Sequence, residues 1–229
     1  MALLGKAVLG VWNEVDPATE DDFNDWYLRE HIPERTSVPG IMRGRRYRAI
    51  SGSPKYMALY EAATLGVLTT GVYRAQLDNP TTWTQRVMPG FTFALRGICN
   101  VIATAGQGAG GFATVIHFRP ASGQETTLRT WVEERVLALM DMTQVTAAHA
   151  WVGASGEPVS PTTELSLRAA PDRRVEWVLA IEAADPDALD AARDAAMAGL
   201  NVAHGAEDVR AYPSYQLLFV LERNEPVTV

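Results

Sequence analysis

The sequence FNDWYLREHIPERTSVPGIMRGRRY, residues 23–47, predicts a helix, a proline-containing turn and then a strand. Spacings of three and four residues place several aromatic and titratable side chains on one face of the helix. That face carries Phe23, Trp26, Tyr27, Glu30 and His31. The helix is expected to end near His31, because Pro33 disfavours helical geometry in the residue before it.

The elements around this stretch follow the order strand, helix, strand, strand, helix, strand. Alternating apolar residues predict the strands at residues 6–15, 41–50, 56–62 and 91–104. Asp16 and Pro17 are typical of a helix start, since the first accepts hydrogen bonds at the cap and the second fits the first turn. The second helical region, residues 65–88, is broken at Asn79 and Pro80.

The same order of elements recurs in the second half of the chain. Strands are expected at residues 111–118, 145–152, 175–183 and 215–222. Ser122 and Glu125 have the spacing of a capping box, and Asp185 with Pro186 begins an alanine-rich helix. The glycine-rich residues 105–111 read as a flexible linker between the halves.

This repetition predicts an α+β fold of two tandem ferredoxin-like βαββαβ units, residues 1–106 and 111–229. Each unit would leave one apolar face of its sheet open, and packing sheet to sheet covers both faces. We therefore expect an intramolecular dimeric α+β barrel of eight strands with its helices outside. Two independent domains on a linker are the alternative.

Composition excludes several classes of function. The net charge of −7 argues against a nucleic-acid partner, which requires a basic surface. No apolar run approaches the ~18–20 residues needed to span a bilayer. The single cysteine, Cys99, excludes an internal disulfide and favours a cytoplasmic location. The four histidines lack metal-ligand spacing, so no metal site is predicted.

His31 is the candidate catalytic residue. It sits beside charged neighbours at the expected helix end, where the negative end of the helix dipole favours a protonated imidazole. A histidine tuned near neutrality can act as a general acid or base. The structural alternative is a histidine that caps the helix and orders the turn.

Supporting residues follow from strand alternation. Arg43, Arg45 and Tyr47 share one face of the second strand, and Arg46 and Arg48 share the other. Arg45 is expected to stabilise an oxyanion, although charges on an edge strand can simply prevent aggregation. Tyr60 is the second candidate for stabilising an oxyanion. The expected substrate-binding residues are Asn13, Trp26, Tyr27 and Tyr47.

The run D-x-x-x-W-Y-x-x-E-H-I-P-E-R, followed by V-P-G-x-x-x-G-R-R-Y, resembles the EthD-like branch of the dimeric α+β-barrel superfamily. The motif covers residues 22–47, and the element order extends the resemblance over residues 1–108. It implies a pocket between sheet and helices, and it implies a position for His31 rather than a reaction. When Trp131 is aligned with Trp26, His31 meets Val136, so only the first half retains the motif.

Members of that superfamily include lactone isomerases, polyketide cyclases, cofactor-free monooxygenases and haem enzymes. We therefore expect a small-molecule enzyme that performs acid/base chemistry without a cofactor, as an isomerase, cyclase, lyase or dehydratase, on a hydrophobic oxygenated metabolite. The alternatives are a non-catalytic binding or stress-associated protein, a cofactor-free monooxygenase, and a haem enzyme with His204 as the ligand. Association into a homodimer stays open.

Overall fold

The computed structural model describes residues 3–69, 71–154, 162–168 and 173–223. The strands in this part of the chain are β1 (Ala7–Val15), β2 (Ile41–Ala49), β3 (Tyr56–Ala62), β4 (Phe91–Gly106), β5 (Phe112–Pro120), β6 (Val145–Gly153), β7 (Arg173–Arg174), β8 (Trp177–Ala183), β9 (Ala206–Ala211) and β10 (Tyr215–Glu222). The helices are α1 (Glu20–Trp26), α2 (Ile32–Thr36), α3 (Gly71–Asp78), α4 (Thr82–Val87), α5 (Glu125–Ala138), α6 (Thr163–Ser166) and α7 (Pro186–Gly199). None of the described helices is both long and apolar enough to cross a membrane.

Eight of these strands close into an antiparallel barrel. Their order is β1–β3–β2–β10–β5–β8–β6–β4, and β4 pairs with β1 to complete the ring. The short strand β7 adds to β4, and β9 adds to β5. The predicted α+β class and the eight-stranded barrel are therefore confirmed.

Two strands connect the halves of the barrel. The 16-residue strand β4 pairs with β1 over residues 91–100 and with β6 over residues 99–106. Strand β10, from the end of the chain, pairs with β2 at seven positions but with β5 at only two. Strand β4 of the first half therefore bonds partly with the second half, and strand β10 of the second half bonds mainly with the first.

Apolar side chains divide between the inside and the outside of the barrel. On β1, Val8 and Trp12 belong to the cluster inside the barrel, whereas Leu9 and Val11 face the helices of the first half. This alternation is the period-two pattern expected of a strand buried on both sides. A third cluster packs α5 and α7 against the barrel in the second half.

A buried charge network crosses the inside of the barrel. Arg43 donates two 2.8 Å hydrogen bonds to the Glu61 carboxylate. Arg45 Nη1 donates to Glu182 Oε1 at 2.8 Å, and its Nε lies 3.0 Å from Glu61 Oε1. His149 Nε2 lies 3.2 Å from the same Glu182 oxygen. Because Arg45 and Glu182 come from opposite halves, the network links the two halves inside the barrel.

Three helix starts were predicted from capping residues, with different outcomes. Asp16 accepts a hydrogen bond from the Ala18 N–H and caps a short 3₁₀ turn, Pro17–Thr19, that leads into α1. Asp185 caps α7, where its carboxylate accepts hydrogen bonds from the backbone of Asp187 and Ala188. The capping box at Ser122 was wrong, because α5 begins after Gln124 and no side-chain hydrogen bond caps it. The backbone of Gln124 instead turns back to Ala121.

Candidate active site

The helix that carries His31 continues through Pro33, so the predicted helix end was wrong. Residues Tyr27–His31 form a π-helical turn between α1 and α2, in which the Ile32 N–H donates to the Tyr27 carbonyl. In a regular α-helix the Pro33 ring would collide with the Arg29 carbonyl and provide no N–H to it. The wider turn removes that conflict. Such turns occur frequently at functional sites.

The π-turn holds the imidazole of His31 among aromatic rings. The ring centroid lies 4.2 Å from that of Trp26, 5.0 Å from that of Tyr27 and 6.3 Å from that of Tyr60. The residue is 7% exposed. Its Nδ1 atom is buried without a hydrogen-bond partner among the described residues. A buried, unsatisfied ring nitrogen is uncommon and calls for an explanation.

The environment keeps His31 neutral. Burial lowers its pKa well below the ordinary value, and the positive charges of Arg35, Arg168 and Arg46 lower it further. The expectation of a protonated imidazole at a helix end was therefore wrong, since the helix does not end there. At neutral pH this side chain carries a free lone pair and can act as a base.

His31 lines a small cavity between the barrel and the helices of the first half. Its volume is about 20 Å³, which accommodates about one water molecule. The wall is mostly apolar and aromatic: Leu9, Val11, Trp26, Tyr27, Tyr60, Tyr73, Leu77, Met88 and Phe91. Thr162, Glu164, Leu165 and Arg168 complete the wall from the second half of the chain.

Tyr60 places a second unsatisfied polar atom in this wall. Its hydroxyl is buried and has no hydrogen-bond partner among the described residues. Burial, followed by the effect of Tyr27, raises the pKa of Tyr60 well above its ordinary value. The hydroxyl therefore stays protonated and can donate a hydrogen bond to an oxygen in the cavity.

Trp26 is held in place by the hydrogen bonds of its indole N–H. Its indole N–H lies 3.1 Å from Glu30 Oε1 and 3.1 Å from Thr84 Oγ1. The Thr81 hydroxyl donates to the same Glu30 oxygen. These contacts orient the ring on which His31 rests. The sequence prediction placed Trp26, Tyr27, His31 and Tyr60 at one site, and the structure brings all four together.

Three arginines line the cavity, and sequence analysis selected none of them as a site residue. Arg35 is 2% exposed and pairs with the carboxylate of Glu164. Arg96 donates to the Tyr73 hydroxyl at 2.8 Å. The Arg168 guanidinium lies 5.3 Å from the centroid of the Phe91 ring. Among the described residues of the wall, these three arginines share the cavity with the carboxylate of Glu164.

Arg45 and Tyr47 lie elsewhere. Both side chains point into the barrel, where Arg45 joins the charge network and Tyr47 joins the interior cluster. Arg46 takes the opposite face, with its guanidinium 3.6 Å from the Tyr27 ring centroid and 4.7 Å from that of Phe23. Alternation thus grouped these residues correctly but did not show which face meets the helices. Arg46, not Arg45, is the strand arginine on the side of His31.

Asn13 lies behind the cavity wall. It is 1% exposed, and its Nδ2 atom is buried without a hydrogen-bond partner among the described residues. Burial raises the pKa of Tyr27, which lines the cavity, while the positive charges of Arg46 and Arg168 oppose that rise.

The other histidines have structural contacts. His204 Nδ1 lies 2.8 Å from the Gly199 carbonyl, and its ring faces that of Trp131. Buried apolar side chains fill the space between the barrel and α5 and α7. These surroundings do not fit a haem at His204, and no haem chemistry is assigned. Within residues 3–69, 71–154, 162–168 and 173–223, no cluster of three or more His, Cys, Asp or Glu side chains could hold a metal.

Neither a family model nor a curated protein matches this sequence. Solved structures match along nearly the whole chain. An anthrone oxidase-like protein gives a TM-score of 0.67 at 12% identity, covering 98% of this chain and 97% of its own. A putative monooxygenase from Fusobacterium nucleatum gives 0.60 at 10% identity, covering 96% of each chain. A putative chlorite dismutase gives 0.54 at 9%, covering 94% of this chain and 96% of its own.

This chain shares the fold of these structural neighbours, and at such identities the likeness shows the fold alone. The superfamily and its EthD-like branch, named from the residue 22–47 motif, stay predictions.

Proposed function

We propose that this chain is a small-molecule enzyme in which neutral His31 removes a proton from a hydrophobic, oxygenated substrate. The observation that carries the proposal is that two residues lining one cavity, His31 and Tyr60, each carry a buried polar atom without a partner among the described residues. One is a base and the other a hydrogen-bond donor. Abstraction of a proton next to a carbonyl needs both kinds of group.

The reaction begins with transfer of a proton from a carbon next to a carbonyl to His31. The electron pair of the broken C–H bond moves onto the carbonyl oxygen, which becomes an enolate. Tyr60 donates a hydrogen bond to that oxygen, and the positive charge of the arginine-lined wall stabilises it. Return of the proton from the imidazolium to a different carbon completes an isomerisation. Expulsion of a leaving group completes an elimination. Neither route requires a cofactor.

A second candidate reaction uses the same first step. The names of two structural neighbours, an anthrone oxidase-like protein and a putative monooxygenase, favour testing for reaction with oxygen. In that case a methylene group next to a carbonyl becomes a ketone and one water forms, R₂CH₂ + O₂ → R₂C=O + H₂O. The role of His31 is unchanged, and only the fate of the carbanion differs.

We also propose that the chain is a tandem of two ferredoxin-like units, residues 1–106 and 111–229, related to the EthD-like branch. The recurring order of strands and helices supports this division. Val136, the counterpart of His31 in the alignment on Trp26 and Trp131, lies in the apolar core of the second half. The active site is accordingly assigned to the first half, with a small molecule as its partner and the cytoplasm as its location.

The test measures proton abstraction directly. The protein is incubated in D₂O with a panel of carbon acids that includes an anthrone, and ¹H NMR follows loss of the acidic C–H signal. We expect exchange with the wild type, a loss of at least about 100-fold in His31→Gln, and a smaller loss in Tyr60→Phe. His204→Gln is the matched control and retains full exchange.

An oxygen electrode run in parallel separates the two fates. Oxygen consumption that depends on His31 identifies the oxidation, and exchange without consumption identifies the isomerisation or elimination. Exchange that persists in His31→Gln overturns the assignment of the base. Tight ligand binding with neither exchange nor turnover identifies the non-catalytic binding protein instead.

A further inference from the structure

The ion pair between Arg35 and Glu164 lies in the wall of the cavity. The two residues are separated by 129 positions in the sequence. We propose that Glu164 occupies, on Arg35, the place of the anionic oxygen of the ligand, so that the site binds a hydrophobic carboxylate or phenolate that exchanges with Glu164. This inference uses the site assigned under the proposed function but does not depend on the reaction.

Arg35 is built to hold a planar anion. Its side chain is 2% exposed, and its Nη1 lies 3.2 Å from Gln76 Oε1 and 3.3 Å from Glu34 Oε2. The Gln76 side chain is itself anchored, because its amide donates to the Glu34 carbonyl at 3.0 Å. These contacts fix the guanidinium while its Nη2 meets Glu164. A buried guanidinium demands an anionic partner, and a carboxylate matches its geometry.

The segment that supplies Glu164 is short. Helix α6 has four residues, and the Thr162 hydroxyl caps it by accepting from the Leu165 N–H. Besides the ion pair, the Thr163 N–H approaches the exposed Asp78 carboxylate at 3.4 Å, and Leu167 packs on the first apolar cluster. Such a segment has few cooperative contacts of its own. The ion pair ties α6 to the cavity together with Arg168, whose guanidinium lies over the Phe91 ring.

The size and charge of the cavity agree with the exchange of Glu164 for a ligand anion. A cavity of about 20 Å³ is far below the roughly 300 Å³ that small-molecule pockets need, so a ligand must displace part of the wall. Displacing Glu164 removes the carboxylate from the described part of the wall, which also holds Arg35, Arg96 and Arg168. An incoming anion takes the place of Glu164 on Arg35, whereas a neutral molecule leaves the buried guanidinium with Glu34 alone, 3.3 Å from its Nη1. Anionic ligands are therefore favoured over neutral ones.

Calorimetric titration with naphthoate and with its neutral counterpart, naphthamide, tests the exchange. We expect the wild type to bind naphthoate more tightly than naphthamide. Glu164→Gln lowers the cost of releasing Arg35, so naphthoate binding tightens about tenfold while naphthamide binding is unchanged. Arg35→Lys keeps the charge but loses the forked geometry, and its preference for naphthoate decreases.

Two results overturn the inference: equal affinity of the wild type for the two probes, or a Glu164→Gln variant that gains nothing for naphthoate over naphthamide. If Glu164→Gln does not fold, the two-probe comparison on the wild type still decides. The His31→Gln variant separates the proposals. Naphthoate selectivity without His31-dependent exchange contradicts only the proposed reaction, and exchange without naphthoate selectivity contradicts only this inference.

Discussion

Replacing Glu182 by glutamine tests how strongly the charge network inside the barrel stabilises the fold. The carboxylate lies 2.8 Å from Arg45 Nη1 and 3.2 Å from His149 Nε2, and it accepts the Gly110 N–H at 2.9 Å. Burial alone would raise the pKa of Glu182, but Arg45 and His149 outweigh burial and lower it to about 2. The charged form is thus strongly favoured in the folded protein.

The magnitude follows from that pKa. The ordinary value is 4.5, so a folded value of about 2 corresponds to about 3 kcal/mol of stabilisation at neutral pH. Removing one partner of a buried ion pair costs about 3–5 kcal/mol in other proteins, which agrees. For a chain of this length the melting temperature of Glu182→Gln should fall by roughly 6–12 °C.

The pH dependence has a definite sign. Because the folded pKa lies below the unfolded one, the stabilisation is present above pH 4.5 and is lost as the pH falls toward 2. The difference in unfolding free energy between the wild type and Glu182→Gln should therefore shrink to less than half by about pH 3.

Urea unfolding followed by tryptophan fluorescence, at about pH 7 and about pH 3, measures both effects. Glu207→Gln is the matched control, because Glu207 pairs with Arg119 on the surface at 2.8 Å. An exposed pair of this kind contributes little, so no resolvable change is expected. A Glu182→Gln variant within about 1 kcal/mol of the wild type at neutral pH, or a difference independent of pH, would refute the reasoning.

Three further substitutions test local features. Pro33→Ala restores an N–H and permits a regular α-turn, so His31 should leave its aromatic surroundings. Its imidazole should then titrate nearer pH 6.5, as followed by NMR. An unchanged titration would show that Pro33 does not impose the π-turn. Burial and Arg210 lower the pKa of His117 to about 3, so the unfolded chain binds the proton first. As the pH falls from about 8 to about 5, the unfolding free energy of the wild type should therefore decrease by about 2 kcal/mol. That of His117→Phe should not show this decrease, and urea unfolding measures both. Gly106 has φ +110° and an added Cβ would lie 2.3 Å from the Thr146 carbonyl, so Gly106→Ala should cost about 2–3 kcal/mol in the same assay. Gly108→Ala, which meets nothing within 4 Å, should be neutral.

Local signals were sufficient to predict the fold class and most elements. Alternation along residues 6–15 anticipated β1 and its two faces, and Asp185 marked the start of α7. These signals work because strand periodicity and capping depend on neighbouring residues. The closing of eight strands into one ring followed from the need to cover apolar sheet faces.

The π-turn at Tyr27–His31 could not be predicted from Pro33 alone. A proline within a helix either ends it or is accommodated by an altered hydrogen-bond pattern. Here Phe23, Trp26 and Ile32 are fully buried on the same helical segment. Continuing the helix through Pro33 keeps all three side chains in the core. Their burial outweighs the loss of the α-helical hydrogen bond that Pro33 cannot donate.

The wall of the candidate site was only half predicted. His31, Trp26 and Tyr27 lie within six residues of one another, so helical spacing brought them together. Arg35 and Glu164 meet across 129 residues, and no local spacing connects positions that distant. The faces of β2 are a similar case, because alternation separates Arg45 from Arg46 without showing which side the helices cover.

The pairing of β4 and β10 has a consequence for cutting the chain. Each strand bonds across the boundary between the halves, β4 with both β1 and β6, and β10 mainly with β2. A break at Gly108 would leave each fragment with an unsatisfied strand edge that the other fragment fills. We therefore expect each fragment to fold poorly alone and the two to reassemble when expressed together. Such fragment complementation would make this barrel usable as a split reporter.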